Sequence, residues 1–321
     1  MLDSGPIEYR LEQRGGDVLL VMHGGHLRAE LALGEDTFAA AGYTILAPSR
    51  PGYGRTPLQA GPTPARFADT VAALCARLGI TRVAAVVGIS GGGPTAVTMA
   101  ARHPGLVQRL VLVSGVGFRP WPDRLTRLGS HLVFRPGVEA LTWAGIRLFL
   151  RAAPAAALRT LLAGVSNHPT AAITAGLRDD DRATLVELFS AMRSGAGFLN
   201  DLRPAADVTA SVTQPAMVIA TRADRGVPFA HAESLTATIR RAELVESHAG
   251  SHLVWFAADW PAIAARITAF LTTPLGGAAP APPTAGPQEP VMPDFHRPLP
   301  QLPAVNGPEA RRCPRGRPVS G

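Results

Sequence analysis

The chain has 321 residues, of which 46% are hydrophobic and 17% charged, so it can bury the core of one large domain or two small ones. This composition excludes a wholly disordered chain, a collagen and a small disulfide-rich protein. All 31 basic residues are arginines, and with 24 acidic residues the net charge is +7. The arginines are scattered singly, and aromatic residues make up only 6%. A nucleic-acid surface needs clustered cations with interleaved aromatics, so we expect no nucleic-acid partner.

The sequence predicts a cytoplasmic protein with no membrane partner. Residues 1–14 carry three carboxylates and no apolar run, unlike a signal peptide. The most apolar stretch, residues 141–158, is interrupted by Arg147, Arg151 and Pro154 and is therefore not a membrane span. Cys75 and Cys313 form no disulfide framework, which favours a reducing compartment. No pattern in the sequence indicates an oligomeric state.

Strand-like and helix-like patterns alternate in the first part of the chain. A continuous apolar run at residues 17–22 enters a glycine turn, which is typical of a buried strand. The following elements are predicted as a helix at 29–41, a strand at 43–47, a helix at 64–78, a strand at 83–87, a helix at 95–102 and a strand at 110–113. The alternation predicts right-handed crossovers and a mostly parallel sheet with helices on both faces, which is the α/β class.

Residues 118–207 break this alternation, because they contain only helix-like patterns, at 138–150, 155–162 and 182–192. The alternation then resumes with a strand at 217–220, a helix at 229–240, a strand at 243–246 and a helix at 261–271. A helical insert of this kind predicts a lid over the carboxyl edge of the sheet, where such folds bind ligands. Residues 274–321 are rich in proline, glycine and alanine, and we expect them to form a disordered tail.

A serine lies between small residues at the end of the strand predicted at 83–87. The five residues from Gly88 to Gly92 have Ser90 at their centre and precede a predicted helix. A strained strand-to-helix turn of this kind needs small neighbours, and it exposes the hydroxyl at the edge of the sheet. The alternative interpretation is a glycine-rich turn with no chemical role.

A second glycine turn, which runs from His23 to His26, follows the strand at 17–22. The backbone N–H of Gly25, together with that of Gly91 after the serine, is predicted to form an oxyanion hole. His26 could contact a substrate or could simply pack within its loop. His23 is expected to brace the turn, not to take part in chemistry.

A serine nucleophile needs a base and an acid that orients the base, and along the chain the acid should follow the serine first and the histidine base second. Asp224 follows the predicted strand at 217–220, and His252 follows the strand at 243–246. These residue types on these loops predict a triad of Ser90, Asp224 and His252. His248 is the alternative base. Taken alone, Asp224 could be a turn acid and His252 a surface histidine.

These features together resemble the α/β-hydrolase superfamily over residues 7–272: the turn at Ser90, the His23 loop, the segment 50–56, Asp224 and His252. The resemblance implies an eight-stranded, mostly parallel sheet with a helical cap at 119–204. Residues 1–118 and 205–273 would then form the core. Serine at position 90, where dehalogenase-like and epoxide-hydrolase-like members carry aspartate, favours acyl chemistry.

The resemblance implies a serine hydrolase that cleaves an ester, thioester or lactone of a small-molecule acyl substrate. No cofactor is expected, and no metal, because no histidine and cysteine cluster has the spacing of ligands. The alternative is a protein of the same fold that does not hydrolyse its ligand, such as a perhydrolase, a lyase or a small-molecule receptor.

Overall fold

The structure, a computed structural model, describes residues 5–275. The strands are β1 (Tyr9–Glu12), β2 (Val18–Met22), β3 (Thr44–Pro48), β4 (Ala85–Ile89), β5 (Leu110–Val113), β6 (Ala216–Ala220) and β7 (Ala242–Glu246). They form one sheet in the order β1-β3-β2-β4-β5-β6-β7. The β1 strand pairs antiparallel to β3, and the other neighbours are parallel.

Helices lie between and after these strands. In chain order they are α1 (Asp36–Ala40), α2 (Pro64–Arg77), α3 (Gly93–Arg102), α4 (Arg124–Val133), α5 (Glu139–Ala152), α6 (Pro154–Ala163), α7 (Thr170–Ala175), α8 (Asp179–Ala191), α9 (Gly197–Asp201), α10 (Ala230–Thr238) and α11 (Trp260–Thr272). The start of α2 follows from the residues at its N-terminus. Thr63 caps it by accepting a hydrogen bond from the backbone N–H of Arg66 (3.3 Å), and Pro64 fills its first position.

The central strands are covered on both faces. In β2, Leu19 and Val21 join a core that includes residues of α1 and α11, whereas Leu20 and Met22 join α2, α3 and α10 on the other face. Every residue of β2 to β6 is buried. This is the arrangement expected of parallel strands between two helical layers, and it confirms the α/β class.

Two predictions about the elements are wrong. The eight-stranded sheet implied by the resemblance has seven strands in the described residues, because the described chain before β2 forms only the edge strand β1. The helix expected at 29–41 begins only at Asp36, since Gly34 adopts a φ of +71° that a right-handed helix does not contain. The predicted tail lies outside the described residues from position 276 onwards.

The chain between β5 and β6 runs through six helices, α4 to α9, and we call this segment the cap. Sequence patterns indicated only α5, α6 and α8 within it. Among residues 5–275, no helix is both long enough and apolar enough to cross a membrane.

Candidate functional site

Ser90 lies on a strained turn between β4 and α3. Its φ of +49° is a left-handed conformation that non-glycine residues rarely adopt. The turn depends on its small neighbours: a methyl group on Gly92 would lie 2.0 Å from the carbonyl oxygen of Met22, and one on Gly24 would lie 2.9 Å from Ser90 Cβ. Strain held in place by tight packing is typical of a functional position.

Asp224 and His252 lie on the loops after β6 and β7 and are directly bonded. Asp224 Oδ2 is 2.6 Å from His252 Nδ1, and Asp224 Oδ1 accepts a hydrogen bond from the backbone N–H of Val227 (2.8 Å). The Asp224 side chain is completely buried. A carboxylate can only accept, so Nδ1 is the donor and Nε2 of the neutral ring is left with a free lone pair. The ring can therefore take a proton at Nε2.

The cap binds both of the loops that carry this pair. The backbone N–H of His252 donates to the carbonyl of Val165 (2.9 Å), and that of Asn167 donates to the carbonyl of Ala223 (2.8 Å). One short cap segment therefore fixes the backbone of the histidine loop and that of the aspartate loop. No sequence motif marks this segment, because contacts through the backbone do not require particular side chains.

Ser114, at the end of β5, supports the histidine loop from the core side. Its hydroxyl donates to the carbonyl oxygen of His252 (2.9 Å), and its φ is +48°. In the described residues the non-glycine positions with positive φ are Ser114, Ser90 and His26. All three follow strands at the same edge of the sheet, so backbone strain is concentrated around this site.

Ser90 reaches the same edge as His252, since both follow parallel strands. Among the described residues, however, no hydrogen bond joins the Ser90 hydroxyl to His252, nor does any other residue bond that hydroxyl. The Ser90 side chain is partly exposed. Catalytic hydrogen bonds are often long or misaligned without substrate, so the arrangement is compatible with a nucleophile and its base.

The backbones of Gly25 and Gly91 approach each other beside Ser90. A methyl group on Gly91 would lie 3.4 Å from the backbone nitrogen of Gly25. No described residue accepts a hydrogen bond from the Gly25 N–H. This close approach is compatible with the oxyanion hole predicted from the sequence.

His26 is held between the Gly25 turn and the cap. The Ser194 hydroxyl lies 2.8 Å from His26 Nδ1 and accepts a hydrogen bond from Trp143 Nε1, also at 2.8 Å. Burial and, to a smaller extent, the nearby charge of Arg50 lower the pKa of His26 to about 3. The ring is therefore neutral at physiological pH. In the tautomer in which Ser194 donates to Nδ1, Nε2 carries the proton and can act as a donor.

Aromatic rings surround His26 on the cap side. Its ring centroid is 4.1 Å from that of Phe198, 4.9 Å from that of Phe134 and 5.2 Å from that of Trp143. Phe198 also lies against Gly25, where a methyl group would come within 3.0 Å of its ring. The turn at Gly25 is therefore bordered on the cap side by apolar rings, which suits an uncharged group.

A buried ion pair joins the cap to the core beside the same turn. Arg50 donates to both carboxylate oxygens of Asp201 (2.5 and 2.7 Å) and, through Nε, to the carbonyl of His23 (2.7 Å). Tyr53 donates its hydroxyl to Asp201 Oδ2 (2.6 Å). Burial and then the Asp201 charge raise the pKa of Tyr53 well above its ordinary value. Because Asp201 Oδ2 would be 3.3 Å from a methyl group on Gly91, the pair lies against the turn that carries Ser90.

The two remaining histidines of the sequence analysis lie away from the Asp224 carboxylate. His23 Nε2 is bonded to the buried carboxylate of Glu35, which also binds Arg10, so His23 braces its turn as expected. His248 is exposed, and its backbone N–H binds Asp259 (2.6 Å). Of the two candidate bases, only His252 is bonded to Asp224.

Comparisons with known proteins agree with this architecture. Residues 17–137 match the family model described as alpha/beta hydrolase fold, and residues 200–282 match one described as TAP-like protein. A Bacillus subtilis (strain 168) protein described as uncharacterized hydrolase YcgS is 32% identical over 276 residues, which cover 84% of this chain and 96% of that protein.

Two further relatives are similar over most of the chain. A solved alpha/beta hydrolase fold protein from Nakamurella multipartita has a TM-score of 0.73 and 29% identity, with 84% of this chain and 96% of that chain covered. A 2-hydroxy-6-oxononadienedioate/2-hydroxy-6-oxononatrienedioate hydrolase from Pseudomonas sp is 27% identical over 236 residues, which cover 70% of this chain and 78% of that protein.

Proposed function

Because the chain belongs to the α/β-hydrolase superfamily and is a hydrolase, we propose that it cleaves an ester, thioester or lactone through an acyl intermediate on Ser90. The observation that carries this proposal is the 2.6 Å hydrogen bond between His252 Nδ1 and buried Asp224. It lies at the sheet edge that Ser90 also occupies. Serine, histidine and aspartate in these roles form the machinery of acyl transfer.

In the proposed reaction, His252 Nε2 removes the hydroxyl proton of Ser90 as Ser90 Oγ attacks the acyl carbon. The N–H groups of Gly25 and Gly91 bind the oxygen that becomes negative, and each such donor is worth about 3 kcal/mol in the transition state. The imidazolium, stabilised by Asp224, then protonates the departing alcohol or thiol. A water molecule, deprotonated by His252, attacks the acyl carbon, and Ser90 leaves with the proton that returns from His252.

The surroundings of the turn support an uncharged acyl group as substrate. The rings of Phe134, Trp143 and Phe198 lie around His26, and the nearby Arg50 is already occupied by Asp201. The Pseudomonas relative is named for a dicarboxylate substrate, which would need free cations. We therefore favour a neutral ester or lactone, with His26 Nε2–H as a donor to a polar atom of the substrate.

A substrate panel tests the proposal. Esters, thioesters, lactones and amides with apolar acyl groups are offered to the wild type, to Ser90→Ala and to Ser234→Ala on α10 as the matched serine control. Removing a serine nucleophile costs about 10⁶-fold in kcat in a well-studied serine protease, so loss to the background rate is expected for Ser90→Ala only. Wild-type turnover by Ser90→Ala would overturn the proposal.

A further inference from the structure

Helix α4 exposes its apolar side, whereas Arg127 and Ser130 face inward. Leu125, Leu128 and Leu132 lie three and four residues apart on one side of the helix. Their exposed fractions are 81%, 62% and 59%, respectively. Ser130 is the one buried residue of the helix. Arg127 points inward and donates to the carbonyls of Leu202 (2.9 Å) and Trp121 (2.5 Å). An amphipathic helix in this orientation leaves its apolar side without a partner in the described chain.

Helix α5 continues this surface. Leu141 and Leu148 lie seven residues apart and are exposed, whereas Trp143 and Leu150 on the other side are buried. The Thr142 hydroxyl donates to the carbonyl of Val133 (2.8 Å), so the first turn of α5 adjoins the last turn of α4.

These exposed leucines are not isolated. Of the nine large hydrophobic side chains that are exposed in the described residues, seven lie on α4 and α5. Single exposed apolar residues are normal on a protein surface, but a concentrated set marks an interaction surface. We call Leu125, Leu128, Leu132, Leu141 and Leu148 the cap face.

The charges beside the cap face are positive and unpaired. Arg124, Arg135 and Arg151 are exposed, and none forms an ion pair with a residue of the described chain. Both acidic residues of the same segment are engaged by the protein. Asp123 caps α4, and Glu139 accepts a hydrogen bond from the backbone N–H of Ser194 (2.7 Å).

We propose that the cap face docks on an anionic lipid bilayer. The leucines would enter the boundary between headgroups and acyl chains, and Arg124, Arg135 and Arg151 would contact the anionic headgroups. A second copy of the chain fits less well, because a two-fold contact through this face would bring the unpaired arginines of both copies together. The proposal concerns binding and does not depend on the reaction at Ser90.

Docking would bring the substrate side of the cap close to the membrane. Trp121 precedes α4 and Phe134 follows it, and both rings belong to the aromatic group that contains Phe198. Helix α4 is thus the outer side of a segment whose two ends lie at the candidate site. An enzyme held in this way would meet apolar esters at the lipid surface.

Vesicle co-sedimentation of the full chain tests the proposal. The vesicles contain phosphatidylcholine, either alone or mixed with phosphatidylglycerol. We expect the wild type to bind the mixed vesicles and not the neutral ones. The triple change Arg124→Gln, Arg135→Gln and Arg151→Gln should weaken binding about 100-fold, since each arginine at an anionic surface contributes a factor of about five.

Two further variants separate docking through the cap face from the electrostatic attraction of the whole protein to anionic vesicles. Leu125→Ser, Leu128→Ser and Leu132→Ser together should abolish binding while leaving the net charge unchanged. The matched control replaces by glutamine three exposed arginines that lie outside the cap, namely Arg66, Arg77 and Arg240. This control should bind as the wild type does. All variants keep residues 276–321, so the arginines of that segment act equally in each. Circular dichroism checks that each variant is folded.

The following results would overturn the proposal. The wild type could remain in the supernatant with mixed vesicles at low salt. The control variant could lose as much affinity as the arginine variant on the cap. The leucine variant could fold and still bind unchanged. A dimer that forms through the cap face, is dissolved by the leucine changes and binds no vesicles would show that a second copy is the partner. If the leucine variant fails to fold, the two arginine variants decide alone.

Discussion

The hydrogen bond between Asp224 and His252 determines which ring nitrogen carries the proton. Asp224 can only accept, so the proton is on Nδ1 and the lone pair is on Nε2. With an amide at position 224, the side-chain NH₂ group could donate to Nδ1 and stabilise the opposite tautomer. The carboxylate therefore matters both for its charge and for the tautomer that it selects.

Replacing Asp224 by asparagine is expected to lower kcat by about 10⁴-fold and to leave KM nearly unchanged, because the wrong tautomer affects the chemical step and not binding. Steady-state kinetics on the preferred ester of the panel measure both constants. Asp259→Asn is the matched control, since Asp259 binds Ser247 and the backbone of His248 but not the His252 ring. Equal losses in the two variants would contradict the assigned role of Asp224.

The residues with a recognisable sequence context could be predicted at this scale. Ser90, Asp224 and His252 follow predicted strands, and residues that follow parallel strands meet at one edge of a sheet. Ser194 and Asp201 could not be predicted. They lie in the helical cap, and their distances to His26 and Arg50 depend on how the cap folds back onto the core.

At the scale of elements, the ion pair between Arg50 and Asp201 links α9 to the loop after β3. Arg50 is buried and Asp201 nearly so, and Tyr53 completes the set of donors. A buried ion pair of this kind does not by itself add much stability, but loss of one partner leaves an uncompensated charge in the interior. The cap position therefore depends on Asp201 remaining charged.

We expect Asp201→Asn to lower the free energy of unfolding by about 3 kcal/mol or more, because Arg50 would lose its counter-charge in a buried site. The matched control is Asp69→Asn, which breaks a similar two-point contact with Arg102 on the exposed surface. An exposed pair contributes less than about 1 kcal/mol. Urea denaturation measures the free energy of unfolding of both variants. Equal losses of this free energy would mean that solvent screens the pair of Arg50 and Asp201.

The sequence predicted the core elements better than those of the cap. The buried strands and α2 could be found because burial requires apolar runs or an apolar face at helical spacing. Helix α4 was not predicted, although its leucines have helical spacing, because Gly129 interrupts the pattern and Pro136 follows soon after. The edge strand β1 could not be predicted, because two of its four residues, Arg10 and Glu12, are charged and none is fully buried.

At the scale of the whole molecule, two histidines make the fold sensitive to acid. Burial and, to a smaller extent, the charge of Arg119 lower the pKa of His231 from its ordinary 6.5 to about 4. His231 Nδ1 accepts a hydrogen bond from the backbone N–H of Gly117 (3.0 Å), which requires the unprotonated atom. His26 has a pKa of about 3, so the folded state also disfavours the protonated form of this ring.

Acidification from pH 7 to pH 5 should therefore cost about 2 kcal/mol of stability through His231 alone. The unfolded chain binds a proton near pH 6.5 whereas the folded protein does not until about pH 4, so stability is full at neutral pH and falls within this window. Urea denaturation at the two pH values measures the loss. His231→Asn keeps an acceptor for the Gly117 N–H, and it should lose less unfolding free energy between pH 7 and pH 5 than the wild type. If this variant lost as much as the wild type, His231 would not be the group responsible.

The distribution of exposed apolar residues also changes what is expected of the molecule's partners. The absence of a spanning stretch in the sequence led to the expectation of no membrane partner, and the described helices contain no span. A peripheral surface does not require such a stretch. It requires an apolar face turned outward, and the direction of the leucines on α4 became known only from the structure.

Covalent labelling of Ser90 measures most directly whether His252 and Asp224 activate it. We predict that a fluorophosphonate modifies the folded wild type at Ser90, identified by peptide mass spectrometry, and that His252→Ala is modified at least about 10³-fold more slowly. His248→Ala, a histidine control on the same loop, should react like the wild type. An unmodified Ser90 in the wild type, or unchanged labelling of His252→Ala, would contradict a serine hydrolase that acts through this triad.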